Sequence, residues 1–330
     1  MIKKTNLNIC IAGLGTVGSS VIQSLLQNNE IINKKSNFLI NILGISAKNK
    51  NKERNFDTNS FKWFDNPLDL TEIENCDVII ELMGEERGIS FDLVKKALEK
   101  KINVVTANKA LLSRHGSELF EIADKNNVLL LFEAAVAGGI PIIKVLKESV
   151  HLHNIIKITG ILNGTTNFIL TEMENKNESF NTILKEAQKN GYAEANPTND
   201  IEGIDSAHKL SLISSLSFGA TVNFENINYL GISEINIEDI KNADKLGYKI
   251  KLISETEIIN NKLKSVVEPK LINNKSYLAN INGVLNAVKI TTDQLNPIIL
   301  VGEGAGGKAT ASSIIADIYD IIKKTNHSSL

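Results

Sequence analysis

The chain has 330 residues, enough for two domains or for one large domain with an elaboration. It is 42% hydrophobic and 22% charged with a formal net charge of -2, so nothing global points to nucleic acid or to a membrane surface. Its longest apolar runs, VLLLF and PIILVG, are strand-sized and cannot span a bilayer, and the opening MIKKTNLNICIAGLG carries no cleavage pattern.

Leu7 to Ala12 reads as a short apolar strand, after which Val17, Val21 and Leu25, with Ile22 and Leu26, repeat at helical spacing. FLINILGIS and CDVIIELMG read as further strands, FDLVKKALEKK as an amphipathic helix and INVVTAN as a strand. ALLSRHGSELFEIADKNN follows as a helix with a break near Gly116, and VLLLFEA as another strand. Cys10 and Cys76 lie in or beside these apolar runs, which favours buried free thiols in a reducing cytoplasm over a disulfide. Strands alternating with helices predict an α/β fold, a Rossmann-type doubly wound parallel sheet covered on both faces.

After GGIPIIKVLKESV the rhythm changes. IIKITGILNGTTNFILTEM, KLKSVVEPKLI and LANINGVLNAVKI read as strands of a second, antiparallel or mixed sheet. FNTILKEAQKN, AHKLSLISSLSF and IEDIKNADKLGYKIKLI read as helices between them, giving a second α+β domain. The expected division is residues 1–150 for the first domain, completed by a C-terminal helix over 302–324, and 151–301 for the second.

GLGTVG places Gly13, Gly15 and Gly18 at dinucleotide-binding spacing, between a strand and a helix. The first glycine permits the tight turn, the second lets backbone approach a pyrophosphate, and the third lets the helix pack on the strand. Leu14, Thr16 and Val17 complete a helix start whose N–H groups suit phosphates. NAD-binding sites carry an acid at the end of the second strand, but here that strand ends GISAKNKNKER, with four cations from Lys48 to Arg54. Cations suit a 2′-phosphate, so NADPH is favoured with NADH possible; the alternative is a solvated basic loop.

GYAEANPTNDIEGIDSAHKL brings Glu194, Asp200, Glu202, Asp205 and Lys209 up to an apolar helix. Asp205 and Lys209 are four positions apart and share a helix face, either as a functional pair or as a surface pair worth about 0.3–0.5 kcal/mol. NDIE reads as that helix's start, with an N-cap and an acid at N3.

With GLGTVG, VTANKALL, FEAAVAGGIPII and GILNGTTNFIL in the same order, this signature closely resembles homoserine dehydrogenase, and GISEINIEDIKNADKLGYKIKL and GEGAGGKATASSIIADI extend the resemblance to about residue 321. The chain departs from the family at Glu303, where a proline is usual, and matches loosely over AVKITTDQLNPIILVG. The resemblance implies reduction of aspartate 4-semialdehyde to homoserine, toward threonine and methionine, by a cytoplasmic homodimer that binds neither nucleic acid nor membrane. It implies Lys209 as proton donor and Lys109 as a second cation between cofactor and substrate. Glu194 and Asp205, with Asp200 and Thr165, would bind the substrate. Thr106, Gly191 and Gly302 would join Lys48 and the glycine turn around the cofactor. Glu133 and the carbonyls of Val136, Gly138 and Ile140 would hold a monovalent cation, sodium; without the resemblance this stretch is only a strand and a Gly-Gly-Pro turn.

Two rivals are weighed against this reading. A phosphorylating semialdehyde dehydrogenase needs a nucleophilic cysteine at a helix start, which neither Cys10 nor Cys76 occupies. A non-catalytic nucleotide sensor would not need Glu194, Asp205 and Lys209 together. The chain begins at its first strand and stops soon after ASSIIADIYDIIKK. Neither a kinase domain nor an amino-acid-sensing domain is therefore expected, nor inhibition by threonine.

Overall fold

In the computed structural model, which describes residues 5–221 and 223–326, the glycine turn leaves a strand buried on both faces. That strand is β1 (Thr5–Ala12), in which Ile9, Cys10 and Ile11 are all fully buried. It is followed by α1 (Thr16–Ser36), β2 (Phe38–Ser46), β3 (Trp63–Phe64) and β4 (Val78–Glu81). Then come α2 (Ile89–Glu99), β5 (Asn103–Thr106), α3 (Lys109–Asn126) and β6 (Leu130–Leu131). The six strands run parallel in the order β3-β2-β1-β4-β5-β6, the Rossmann order, which reverses between β1 and β4. Consecutive buried residues such as Val78, Ile79 and Ile80 follow from helices covering both faces.

The chain forms two compact units that part between Gly139 and Ile140, and the first resumes at Gly306. The division precedes the change of rhythm near residue 150 because Ile142, Ile143, Leu146 and Val150 are already buried in a segment that packs on a helix of the second unit. The C-terminal helix, Gly307–Asn326, belongs to the first unit. Its Ala311, Ile314, Ile318 and Ile321 share one core with Val21, Ile22 and Leu25 of α1. Residues 302 and 303 are strand rather than helix, so the C-terminal helix starts later than expected.

The second unit contains α4 (Ile142–Lys144, continued by a π-helical turn Val145–Ser149), β7 (Ile155–Ile161), α5 (Gly164–Lys176) and α6 (Phe180–Lys189). There follow α7 (Thr198–Ile201), α8 (Ile204–Phe218), β8 (Asn228–Tyr229), α9 (Ile237–Lys245), β9 (Tyr248–Ile259), β10 (Lys262–Asn273), β11 (Leu285–Thr292) and β12 (Ile298–Glu303). Its sheet runs β12-β11-β7-β9-β10-β8, antiparallel except where β8 meets β10. The β9–β10 hairpin turns through Asn260 and Asn261, both at positive φ as a two-residue type I′ turn requires.

Four local expectations are corrected. Gly116 does not break α3: it is buried within the helix, where a Cβ would make only ordinary contact with the Phe120 ring at 3.5 Å. TNFILTEM is helix rather than strand, since the Asn163 side chain caps α5 by accepting from the Thr166 N–H at 2.8 Å. The helix expected through GYKIKLI stops at Lys245, and Gly247 at φ 80 turns the chain into β9. NDIE is not the start of α8: it lies across the short α7, and Gly203 at φ 81 is the N-cap of α8 with no side-chain cap.

Candidate active site

The nucleotide half is built where the first sheet changes direction. A Cβ on Gly13 would collide with the Leu82 carbonyl after β4, and one on Gly18 would collide with the Gly13 carbonyl, so both positions exclude larger residues. Gly13 is also at φ 100. Nothing lies within 4 Å of a Cβ placed on Gly15, which is the N-cap of α1 and has no side-chain cap. Leu14, Thr16 and Val17 complete this uncapped helix start, and its open backbone faces a cleft of about 560 Å³. Leu14, Gly15, Lys48, Lys52 and Arg54 line that cleft.

The cations in the cleft are not equivalent. Lys48 is exposed and pairs with Glu85 at 2.6 Å. Arg54 is spent largely on the loop itself: its guanidinium donates to the carbonyls of Asn49 and Lys52 at 2.7 and 2.8 Å and of Leu14 at 3.3 Å, and lies over the Trp63 ring. Arg54 thus ties the basic loop to the glycine turn. At the end of β2, where an acid would bind a ribose, stands buried Ser46, whose carbonyl accepts the Gly13 N–H at 2.9 Å.

Thr106 ends β5 with its side chain buried, donating to Glu81 at 2.7 Å and accepting the Asn108 N–H at 2.9 Å. Only its main chain is left for a cofactor. Asn108 caps α3 by accepting from the Leu111 N–H, which puts half-buried Lys109 on the first turn. Gly302 does not fall in a turn: it is a strand residue of β12, and a Cβ there would press on Ile140 at 3.1 Å. The glycines that reach the nucleotide turn are later ones. Gly306 is open at φ 104, and Gly307 lies so close to Ser20 and Thr16 of α1 that no side chain fits. Sequence spacing could have found them, because Gly306 and Gly307 immediately precede the apolar helix pattern.

The second unit holds the carboxylate–lysine cluster. Lys209 is buried on α8, and its Nζ donates to Asp205 Oδ2 and to the Leu162 carbonyl, each at 2.7 Å. Asn163, the cap of α5, donates from Nδ2 to both Asp200 at 2.7 Å and Asp205 at 2.9 Å. One amide therefore holds α5, α7 and α8 in register and joins Lys209, Asp205 and Asp200. Asn163 was not singled out in the sequence, although its place ahead of Gly164 is a capping signal. Thr165 bonds the Tyr192 carbonyl at 2.6 Å, which anchors the loop that carries Gly191, at φ 76 with open space over it. Glu194 is on the same loop but exposed, with its main-chain carbonyl held by Gln188.

In the cation stretch, Glu133 is buried and its N–H donates to buried Asp317 at 2.9 Å. Ala137 and Gly138 are both left-handed, at φ 55 and 54, and buried Val136 precedes them. The Gly138 carbonyl already accepts from Ser313 at 2.7 Å, and that of Ile140, the first residue of the second unit, from the Ile142 N–H at 2.8 Å. Each of these carbonyls keeps a second lone pair beyond its hydrogen bond.

Comparison with known proteins matches the same two parts. The family model for homoserine dehydrogenase matches residues 141–319, and that for the homoserine dehydrogenase NAD binding domain matches residues 13–133. The chain belongs to the homoserine dehydrogenase family. It is 44% identical to the homoserine dehydrogenase of Neisseria gonorrhoeae over 96% of this chain and 72% of that protein. A crystal structure of a homoserine dehydrogenase from Thiobacillus denitrificans superposes with a TM-score of 0.93 at 38% identity, over 98% of this chain and 75% of that one. A hyperthermophilic archaeal homoserine dehydrogenase mutant, solved in complex with NADPH, superposes with a TM-score of 0.80 at 29% identity, over 98% of this chain and 99% of that one. As a homoserine dehydrogenase, the protein is an NAD(P)-dependent oxidoreductase that interconverts L-aspartate 4-semialdehyde and L-homoserine. No helix among the described residues is long and apolar enough to cross a membrane. Cys10, buried in β1, is 3.4 Å from Cys76 Sγ, and that contact and burial push its thiol up, which is unlike an activated nucleophile.

Proposed function

We propose that this homoserine dehydrogenase works with NADPH in preference to NADH and that Lys209 is its proton donor. The observation that carries the second part is the wiring of the Lys209 ammonium. Two of its three protons go to Asp205 and the Leu162 carbonyl, so the third is held in a fixed direction for a ligand oxygen. Asp205 pairs with the buried ammonium at 2.7 Å, and Asn163 keeps Asp205 in place. The turn at Gly13, Gly15 and Gly18 would hold NADPH, which would supply the hydride. Lys209 gives its proton to the carbonyl oxygen as the alkoxide charge grows, and the family resemblance gives Lys109, at the carboxyl end of the first sheet, the role of a second cation. Glu194, exposed on the Gly191 loop, takes the substrate's α-ammonium, with Asp200, Asp205 and Thr165 shaping the pocket.

The preference for NADPH rests on the cleft. Lys48 and Lys52 face it, Ser46 stands where an acid would repel a 2′-phosphate, and the archaeal relative was solved with NADPH. The glycine cradle fits the cofactor, since Gly13 and Gly18 admit no Cβ and Gly15 leaves backbone open. The left-handed turn at Ala137 and Gly138, beside buried Glu133, supports a sodium site made of carbonyl oxygens. The resemblance further implies a cytoplasmic homodimer whose product feeds threonine and methionine synthesis. The test is homoserine oxidation with NADP and with NAD, each with and without sodium. A higher kcat/KM with NAD overturns the cofactor assignment, and rates indifferent to sodium overturn the cation site.

A further inference from the structure

Glu81 is the last residue of β4 and its side chain is fully buried. It sits on the final rung of two strand pairings at once, opposite Ala12 of β1 and Thr106 of β5. No cation contacts its carboxylate among the described residues. Its oxygens instead accept from three uncharged donors: Thr106 Oγ1 at 2.7 Å, the Met83 N–H at 2.9 Å and, more weakly, Asn108 Nδ2 at 3.5 Å. A buried carboxylate without a counter-charge is costly unless such bonds hold it, so the arrangement calls for a reason.

The two arms of this hub lead to the two halves of the cofactor-binding edge. On one side, the Met83 N–H bond fixes Leu82 and Met83, the segment against which Gly13 is pressed too closely for any Cβ. On the other side, the Thr106 hydroxyl donates to Glu81 and accepts from the Asn108 N–H, and Asn108 caps α3 and holds the Glu85 carbonyl at 2.7 Å. Lys109 is the next residue. We infer that Glu81 is a positioning residue that sets the glycine turn and the start of α3 in one geometry, so that cofactor binding and the placement of Lys109 depend on the same buried carboxylate. The α3 arm rests on the reading of Lys109 given above; the glycine-turn arm does not.

The shape-preserving Glu81→Gln removes the charge, so the bonds to Thr106 Oγ1 and to the Met83 N–H lose their charge assistance. In purified enzyme that melts like the wild type, Glu81→Gln is expected to raise the NADPH Kd and to lower kcat, each roughly tenfold, the scale of one lost charge-assisted hydrogen bond. Thr106→Val removes only the α3 arm and is expected to lower kcat more than NADPH affinity, while Thr106→Ser, which keeps the hydroxyl, is expected to turn over faster than Thr106→Val. Wild-type NADPH binding and turnover in Glu81→Gln would overturn the inference, as would a Thr106→Ser enzyme as slow as Thr106→Val. Should Glu81→Gln fail to fold, the two Thr106 variants decide. Lys109→Met is measured alongside: normal turnover there sinks the reading of Lys109, and Glu81 is then judged on NADPH affinity alone.

Discussion

Lys251 in β9 is a fully buried cation outside the Lys209–Asp205 cluster, and its titration is measurable in the stability of the protein. Its ammonium donates to the Ile281 carbonyl at 2.6 Å, Asn167 Oδ1 at 2.9 Å and Asn282 Oδ1 at 3.2 Å, and approaches Thr171 Oγ1 at 3.5 Å. Burial, with Lys249 next in weight, lowers its pKa to about 8. The unfolded value is near ~10.4, so between the two values the unfolded chain binds more protons and folding stability rises with pH. The full window corresponds to about 3 kcal/mol, of which about 2 kcal/mol falls between roughly pH 7.5 and roughly pH 9.5. Denaturant unfolding of the wild type and Lys251→Met at those two pH values reads this contribution together with its coupling to Lys249. The wild type is expected to gain about 2 kcal/mol more than the variant on going to the higher pH. Equal gains, or a relative loss by the wild type, would refute the reasoning.

Three further outcomes follow from the site. Lys209→Ala is expected to fold and bind NADPH while turnover falls at least ~10²-fold, the scale of losing a positioned acid; near-normal turnover excludes it as proton donor. Replacing Lys48 and Lys52 with Ser is expected to raise the Kd for NADPH more than that for NADH, and isothermal titration with both cofactors reads the ratio. Glu194→Ala is expected to raise KM for aspartate semialdehyde about tenfold or more and to leave an aldehyde lacking the amino group unaffected. An equal loss on both substrates would remove Glu194 from ammonium binding.

The periodicities by themselves determined the first sheet and its turn. Ile9 to Ala12 and Val78 to Ile80 are uninterrupted apolar runs, which only a strand covered on both faces can bury, and three glycines at fixed spacing follow the first of them. The pairing of Asp205 with Lys209 was legible too, because an interval of four is a helix geometry carried within one segment. The segment from Asn163 onward misled, since a β-branched apolar run ahead of FILTEM suits strand and buried helix equally, and a capping side chain decides between them. Nor does any local pattern show that Asn163 grips Asp200 and Asp205, that Glu81 gathers the ends of β4 and β5, or that the last helix packs on α1. These contacts join residues dozens to hundreds of positions apart. Periodicity reports which face of its own element a residue occupies, whereas the partner across a sheet edge or helix junction is set only when the whole unit packs.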